Sequence, residues 1–156
     1  MAMKTLLVPV DLSDASKPVL EKAAELAQNL SARVIVLHIV EPVATYVPVG
    51  ATMDVIAAAP PPVETTESLS APDARLKALA EPLQSAGVEV EIVSLIGLAI
   101  DDILEQAEKC HADYIILGSH GHGALYHLFS GSVVTGILKR AKCPIIVVPS
   151  RLETSA

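Results

Sequence analysis

Tyr114-Ile-Ile-Leu-Gly-Ser-His-Gly-His-Gly123 sets four apolar residues directly ahead of three glycines in six positions. So short an apolar run, without polar alternation, suits a strand covered on both faces, as in a parallel sheet flanked by helices. Working outward, similar runs stand at Thr5–Val10, Val34–Val40, Val88–Leu95 and Pro144–Val148. Between them apolar residues recur at helical spacing: Leu20, Ala23, Ala24, Ala27; Leu76, Leu79, Ala80, Leu83; Ile100, Ile103, Leu104, Ala107; and Val134, Ile137, Leu138, Ala141. The order is β-α-β-α-β-α-β-α-β. With right-handed crossovers this predicts an α/β fold: a three-layer, doubly wound open sheet of five parallel strands in the order 3-2-1-4-5, helices on both faces.

Local punctuation supports these elements. Ser70-Ala-Pro72-Asp73 reads as a capped helix start, and Gly87 suits the residue just past that helix. Pro18 and Pro82 fit less well. They predict a first helix that begins later than Ser13 and a second that bends or stops early. Glu41–Ser70, with prolines at 42, 48, 60, 61 and 62, has no period. It reads as a long loop, either functional or a mere tether. One domain is expected over residues 1–150, followed by a short tail at 151–156.

Composition narrows the function classes. Of 156 residues 51% are apolar, yet there is no Trp, one Phe and three Tyr, so the core must be aliphatic and base stacking on aromatic platforms is nearly unavailable. A formal charge of −7 argues against a nucleic-acid partner. A mononucleotide remains open, because amides at a helix start hold phosphate without basic side chains. Cys110 and Cys143 form no CxxC, which fits a reducing cytoplasm. Met1–Val10 meets Asp11 too soon for a signal peptide, and no apolar stretch is long enough to insert in a membrane.

In open α/β sheets ligands sit beyond the carboxyl ends of the strands where the strand order reverses, which points to the loops after the first and fourth strands. The first carries Pro9-Val10-Asp11-Leu12-Ser13. The second carries Leu117-Gly118-Ser-His120-Gly121-His122-Gly123, then Gly131-Ser132-Val133 opening a helix. Clustered glycines let backbone amides approach an anion, and a helix amino end adds free N–H groups and a favourable dipole. The same glycines also suit a tight loop with close helix packing. A Walker A loop, a dinucleotide fingerprint after the first strand and the HxGH signature are all missing. His120, His122 and His127 suggest a metal, but no carboxylate or Cys stands beside them, so no metal site is assigned. Lys139, Arg140 and Lys142 complement the dipole of the last helix.

The spacing Gly118, two residues, Gly121, nine residues, Gly131, Ser132 resembles the ATP-binding branch of the universal stress protein family, whose pattern is G-2x-G-9x-G followed by Ser or Thr. Leu7-Val-Pro-Val-Asp11, Leu37-His38-Ile39 and Cys143-Pro-Ile-Ile-Val-Val148 extend the resemblance over nearly the whole chain. It implies a Rossmann-like or flavodoxin-like fold holding ATP or another adenine nucleotide, with magnesium. Asp11 would contact the ribose and adenosine end and the main chain around Ile39 the adenine edge. Gly118, Gly121, Gly131 and Ser132 would border ribose and phosphates, Val133 following in the helix amino turn. Without the resemblance, Asp11 reads as a turn acid or helix cap.

No catalytic residue is assigned, since phosphoryl transfer needs a positioned nucleophile or water and charge at the γ-phosphate. The expectation is a nucleotide-dependent stress-response switch for an unknown protein partner. A slow ATP hydrolase and a nucleotide-free dimeric interaction module are the alternatives. The resemblance also implies a homodimer through the edge strand Pro144–Val148, whose exposed apolar edge invites pairing.

Overall fold

The computed structural model describes residues 3–42, 67–119 and 132–149. Its elements are β1 (Lys4–Pro9), α1 (Ser16–Leu30), β2 (Ala32–Val40), α2 (Glu67–Ser85), β3 (Val90–Ile96), α3 (Ala99–Lys109), β4 (Tyr114–Gly118), α4 (Ser132–Arg140) and β5 (Ile145–Val148). The strands form one sheet in the order β3-β2-β1-β4-β5, parallel at every pairing, as the sequence predicts.

Alternation along the strands divides the core into two layers. Leu6, Val8, Val34, Val36, Ile116 and Val148 face α1 and α2, meeting Val19, Leu20 and Ala23 of α1 and Leu76, Ala80 and Leu83 of α2. Leu7, Ile35, Leu37, Ile39, Ile115 and Leu117 face the other way, onto Ala99, Ile103 and Ala107 of α3 and Val133 and Ile137 of α4. Each fully buried Leu or Ile contributes about 1.5–3 kcal/mol relative to exposure. With apolar residues on both faces, β1, β2 and β4 read as continuous runs. β3 is an edge strand, and its Glu91, Ser94 and Ile96 are exposed.

Several boundaries differ from expectation. α2 begins at Glu67, ahead of the Ser70-Ala-Pro72-Asp73 start, and runs through Pro82 to Ser85. A proline's φ is already helical, but inside a helix each one removes a main-chain bond and crowds the carbonyl four residues back. The Pro82 carbonyl accepts from the Ala86 N–H at 3.1 Å, so the last turn closes despite the ring. Gly87, at φ 79°, then completes a left-handed cap with Val88 N–H bonded to Leu83 O at 3.1 Å and Gly87 N–H to Gln84 O at 2.9 Å. α1 does start later than Ser13, at Ser16, which puts Pro18 in the first turn where no N–H is needed. In α4 the buried stripe is Val133 and Ile137, whereas Leu138, expected inside, is 55% exposed. Leu138 follows Ile137 by one position, about 100° around the helix, and so turns off the sheet.

Candidate functional site

The crevice expected from the strand order lies between β1 and β4, whose following helices cover opposite faces of the sheet. Pro9 at the end of β1, Val10 and Asp11 just after it, Ala15 at the cap of α1, Ser16 and Val19 in its first turns, and Gly118 at the end of β4 line one small depression. Residues more than 100 positions apart in sequence are thus neighbours at the switch point.

Asp11 dominates this depression. It is 9% exposed, and its Oδ1 accepts three hydrogen bonds: from the Ser13 N–H at 3.0 Å, the Ser13 hydroxyl at 2.6 Å and the Ser16 hydroxyl at 2.9 Å. Its Oδ2 is also buried and has no hydrogen-bond partner among the described residues. An acceptor left in that condition costs about 1–3 kcal/mol, more when charged. Among the described residues the turn-acid and helix-start roles account for Oδ1 alone.

The loop around Asp11 is tightly specified. Leu12 sits at φ 63°, a left-handed conformation that costs a non-glycine residue roughly 1–2 kcal/mol. Its carbonyl accepts from the Arg75 guanidinium at 3.0 Å, tying the loop to α2. Below it, the buried ring of His38 places Nδ1 at 3.0 Å from the Val10 carbonyl. Because a carbonyl only accepts, Nδ1 carries the hydrogen. At the surface, the Lys17 ammonium hydrogen-bonds Asp14 and holds that carboxyl below its ordinary range.

Other expected site residues contribute main chain only. The side chains of Ile39, Leu117 and Val133 are buried in the layer that faces α3 and α4. The Leu37 carbonyl accepts from the Val10 N–H at 2.8 Å, on the β1 side of β2. Alternate residues of a strand direct their main-chain groups to the same neighbour, so the amide and carbonyl of Ile39 also turn that way, past the end of β1. Ser132 heads α4, as the sequence predicts. His120, Gly121 and Gly131 lie outside the described residues, as do His122, His127 and most of Glu41–Ser70. The structure thus brings Pro9, Val10, Asp11 and Gly118 together, and leaves the phosphate half of the expected site undescribed.

Ser13, Ser16, Leu12 and His38 were not assigned to the site from sequence. Serines two and five residues after an aspartate, just before an apolar helical stripe, were the available signal. Among the described residues no group of three or more His, Cys, Asp or Glu could hold a metal ion, and no helix is long and apolar enough to cross a membrane.

The model of the universal stress protein family matches residues 3–149. The chain belongs to that family. Universal stress protein A homolog 1 of Coxiella burnetii is 34% identical over 155 residues, covering 95% of this chain and 97% of its own. Among solved structures, a universal stress protein in complex with cAMP has a TM-score of 0.69 at 21% identity, covering 97% of this chain and 100% of the other. One from Archaeoglobus fulgidus in complex with dAMP has a TM-score of 0.63 at 23% identity, covering 94% and 98%. At these identities the structural likeness establishes the flavodoxin-like fold.

Proposed function

We propose that this universal stress protein binds an adenine nucleotide, ATP in the first instance, in the crevice between β1 and β4, and uses the bound state as a stress-response switch. The observation that carries the reading is Asp11 Oδ2, a buried carboxylate oxygen without a donor among the described residues, at the point where α/β sheets bind ligands. A sugar hydroxyl is a donor of the right kind. The main chain of Ile39 lies at the same end of the sheet for the base. Gly118, Gly121, Gly131 and Ser132 supply amides and the α4 amino end for the phosphates. With no acidic cluster among the described residues, magnesium would be held chiefly by phosphate oxygens and water. Family neighbours solved with cAMP and dAMP support an adenine ligand and leave the number of phosphates to experiment.

As a switch, the protein would change the surface offered to a protein partner when the nucleotide orders the loops around it. A homodimer through β5 is part of the same proposal. β5 ends the sheet, and Val147 on it is 41% exposed. Val148 and Ile146 belong to the layer under α1, so Val147→Glu is the substitution that tests the edge without opening the core. A dimer by light scattering that becomes a folded monomer supports this interface; an unchanged mass overturns it.

The nucleotide itself is tested by denaturing the purified protein and chromatographing what it releases, then titrating stripped protein with ATP, AMP and cAMP in magnesium. Release of an adenine nucleotide, or saturable binding that is lost in Asp11→Ala and Gly121→Val, supports the reading. Absence of both, with no thermal shift where saturation contributes roughly 2–4 kcal/mol, overturns it.

A further inference from the structure

The Ser13 N–H on Asp11 is an ordinary turn bond, but the turn alone does not require both serine hydroxyls on the same oxygen. Sharing Ser13 and Ser16 between Oδ1 and Oδ2 would satisfy both. Instead the Ser13 N–H, the Ser13 hydroxyl and the Ser16 hydroxyl all reach Oδ1, at 3.0, 2.6 and 2.9 Å, while Oδ2 is buried without a partner among the described residues. Leu12, between Asp11 and Ser13, sits at φ 63°, a conformation that is costly for a non-glycine residue. Ser16 comes from the first turn of α1, so the carboxylate is gripped both by its own loop and by the helix that follows.

We propose that Ser13 and Ser16 are positioning residues that lock the Asp11 carboxylate with Oδ1 saturated and Oδ2 reserved for a hydroxyl donor of the ligand. The proposal rests on the nucleotide reading above and deepens it: the two serines set the protein's preference for ligands that carry a free sugar hydroxyl. They need not touch the ligand. With one serine removed, the carboxylate can turn or draw its remaining donors away, and the hydroxyl it was held for loses its acceptor geometry. A ligand without that hydroxyl has nothing to lose.

The test is calorimetric titration of the stripped full-length protein with ATP and with 2′,3′-dideoxy-ATP, both in magnesium, for wild type, Ser13→Ala, Ser16→Ala and Asp11→Ala. Wild type is expected to favour ATP over the dideoxy compound by about tenfold or more, the worth of one hydrogen bond to a charged group. Each serine variant should shrink that ratio by roughly three- to tenfold while leaving dideoxy-ATP affinity within about twofold. Adding Ser16→Ala to Asp11→Ala should change neither affinity. Ser13→Ala keeps the main-chain bond to Oδ1 and provides a folded variant should Ser16→Ala unfold. A purely structural role would lower the thermal midpoint and leave the ratio untouched; that result overturns the proposal while the nucleotide reading stands. Wild type that binds neither ligand overturns both.

Discussion

Glu41 makes a contact whose strength can be worked out and measured. The N-cap of α3 is Leu98, which has the extended backbone of a cap residue, φ −103° and ψ 121°, but no side chain able to accept a hydrogen bond. The Ala99 N–H is bonded instead by Glu41 Oε1 at 3.2 Å, from the far end of β2. Beside it the Gly97 N–H donates to the Val40 carbonyl at 3.0 Å, so the exit of β2 and the start of α3 are joined twice. Losing a helix cap costs about 1 kcal/mol. The charge adds about 0.3–1 kcal/mol through the helix dipole. Asp101 and Asp102 already occupy that first turn, which keeps the total near 1 kcal/mol. For a chain of this size Glu41→Ala should therefore lower the melting midpoint by roughly 2–4 °C. Leu98 is 60% exposed, so Leu98→Ser sacrifices little packing and offers a local acceptor to the same turn. In the Glu41→Ala background it should recover most of the loss. Circular dichroism melts of the four proteins decide the matter. A Glu41→Ala midpoint within about 1 °C of wild type, or no recovery from Leu98→Ser, would refute the capping argument.

Three further outcomes follow from other contacts. His111 ends α3 at φ 50° in the left-handed cap closed by Ala112 N–H on Ala107 O at 2.9 Å. His111→Gly should raise stability by about 0.5–1 kcal/mol in urea unfolding, strain relief outweighing the added freedom of the unfolded chain. At the opposite end of the sheet from the crevice, the Thr5 N–H and then the Lys4 ammonium hold the Asp113 carboxyl below its ordinary range. A depressed folded value means stability that is present above the unfolded value and lost as pH falls through the folded one. Asp113→Asn should therefore be less stable than wild type at neutral pH, and the gap should close in strong acid; a gap that persists there contradicts the assignment. Finally, Ile103→Ala should cost about 2–5 kcal/mol, because Ile103 is 1% exposed beneath the sheet. Leu138→Ala, on the outer side of α4, should stay within about 0.5 kcal/mol.

Glu41 and Asp11 show where sequence reading stops. Periodicity is local, so the five apolar runs and four helical stripes predicted the element order, the parallel sheet and the crevice directly from residues a few positions apart. The glycine spacing and Asp11 likewise pointed to the family and to the end of β1. Leu138 was misplaced because a stripe one residue too wide looks equally apolar in sequence, and only the direction in which α4 meets the sheet distinguishes Ile137 from its neighbour. The start of α2 and its passage through Pro82 depended on the cost of a missing amide against the packing of Leu76, Ala80 and Leu83 under the sheet, a balance no local pattern records. The grip on Asp11 needed β1, the Leu12 turn and the first residue of α1 placed together. Glu41 reaches Ala99 across 58 positions. The sequence alone therefore determined which segments are strands and helices and which end of the sheet to inspect. Tertiary structure decided which oxygen of Asp11 is taken and which is left, because hydrogen bonding depends on distance and direction in space, and neither is encoded in spacing along the chain.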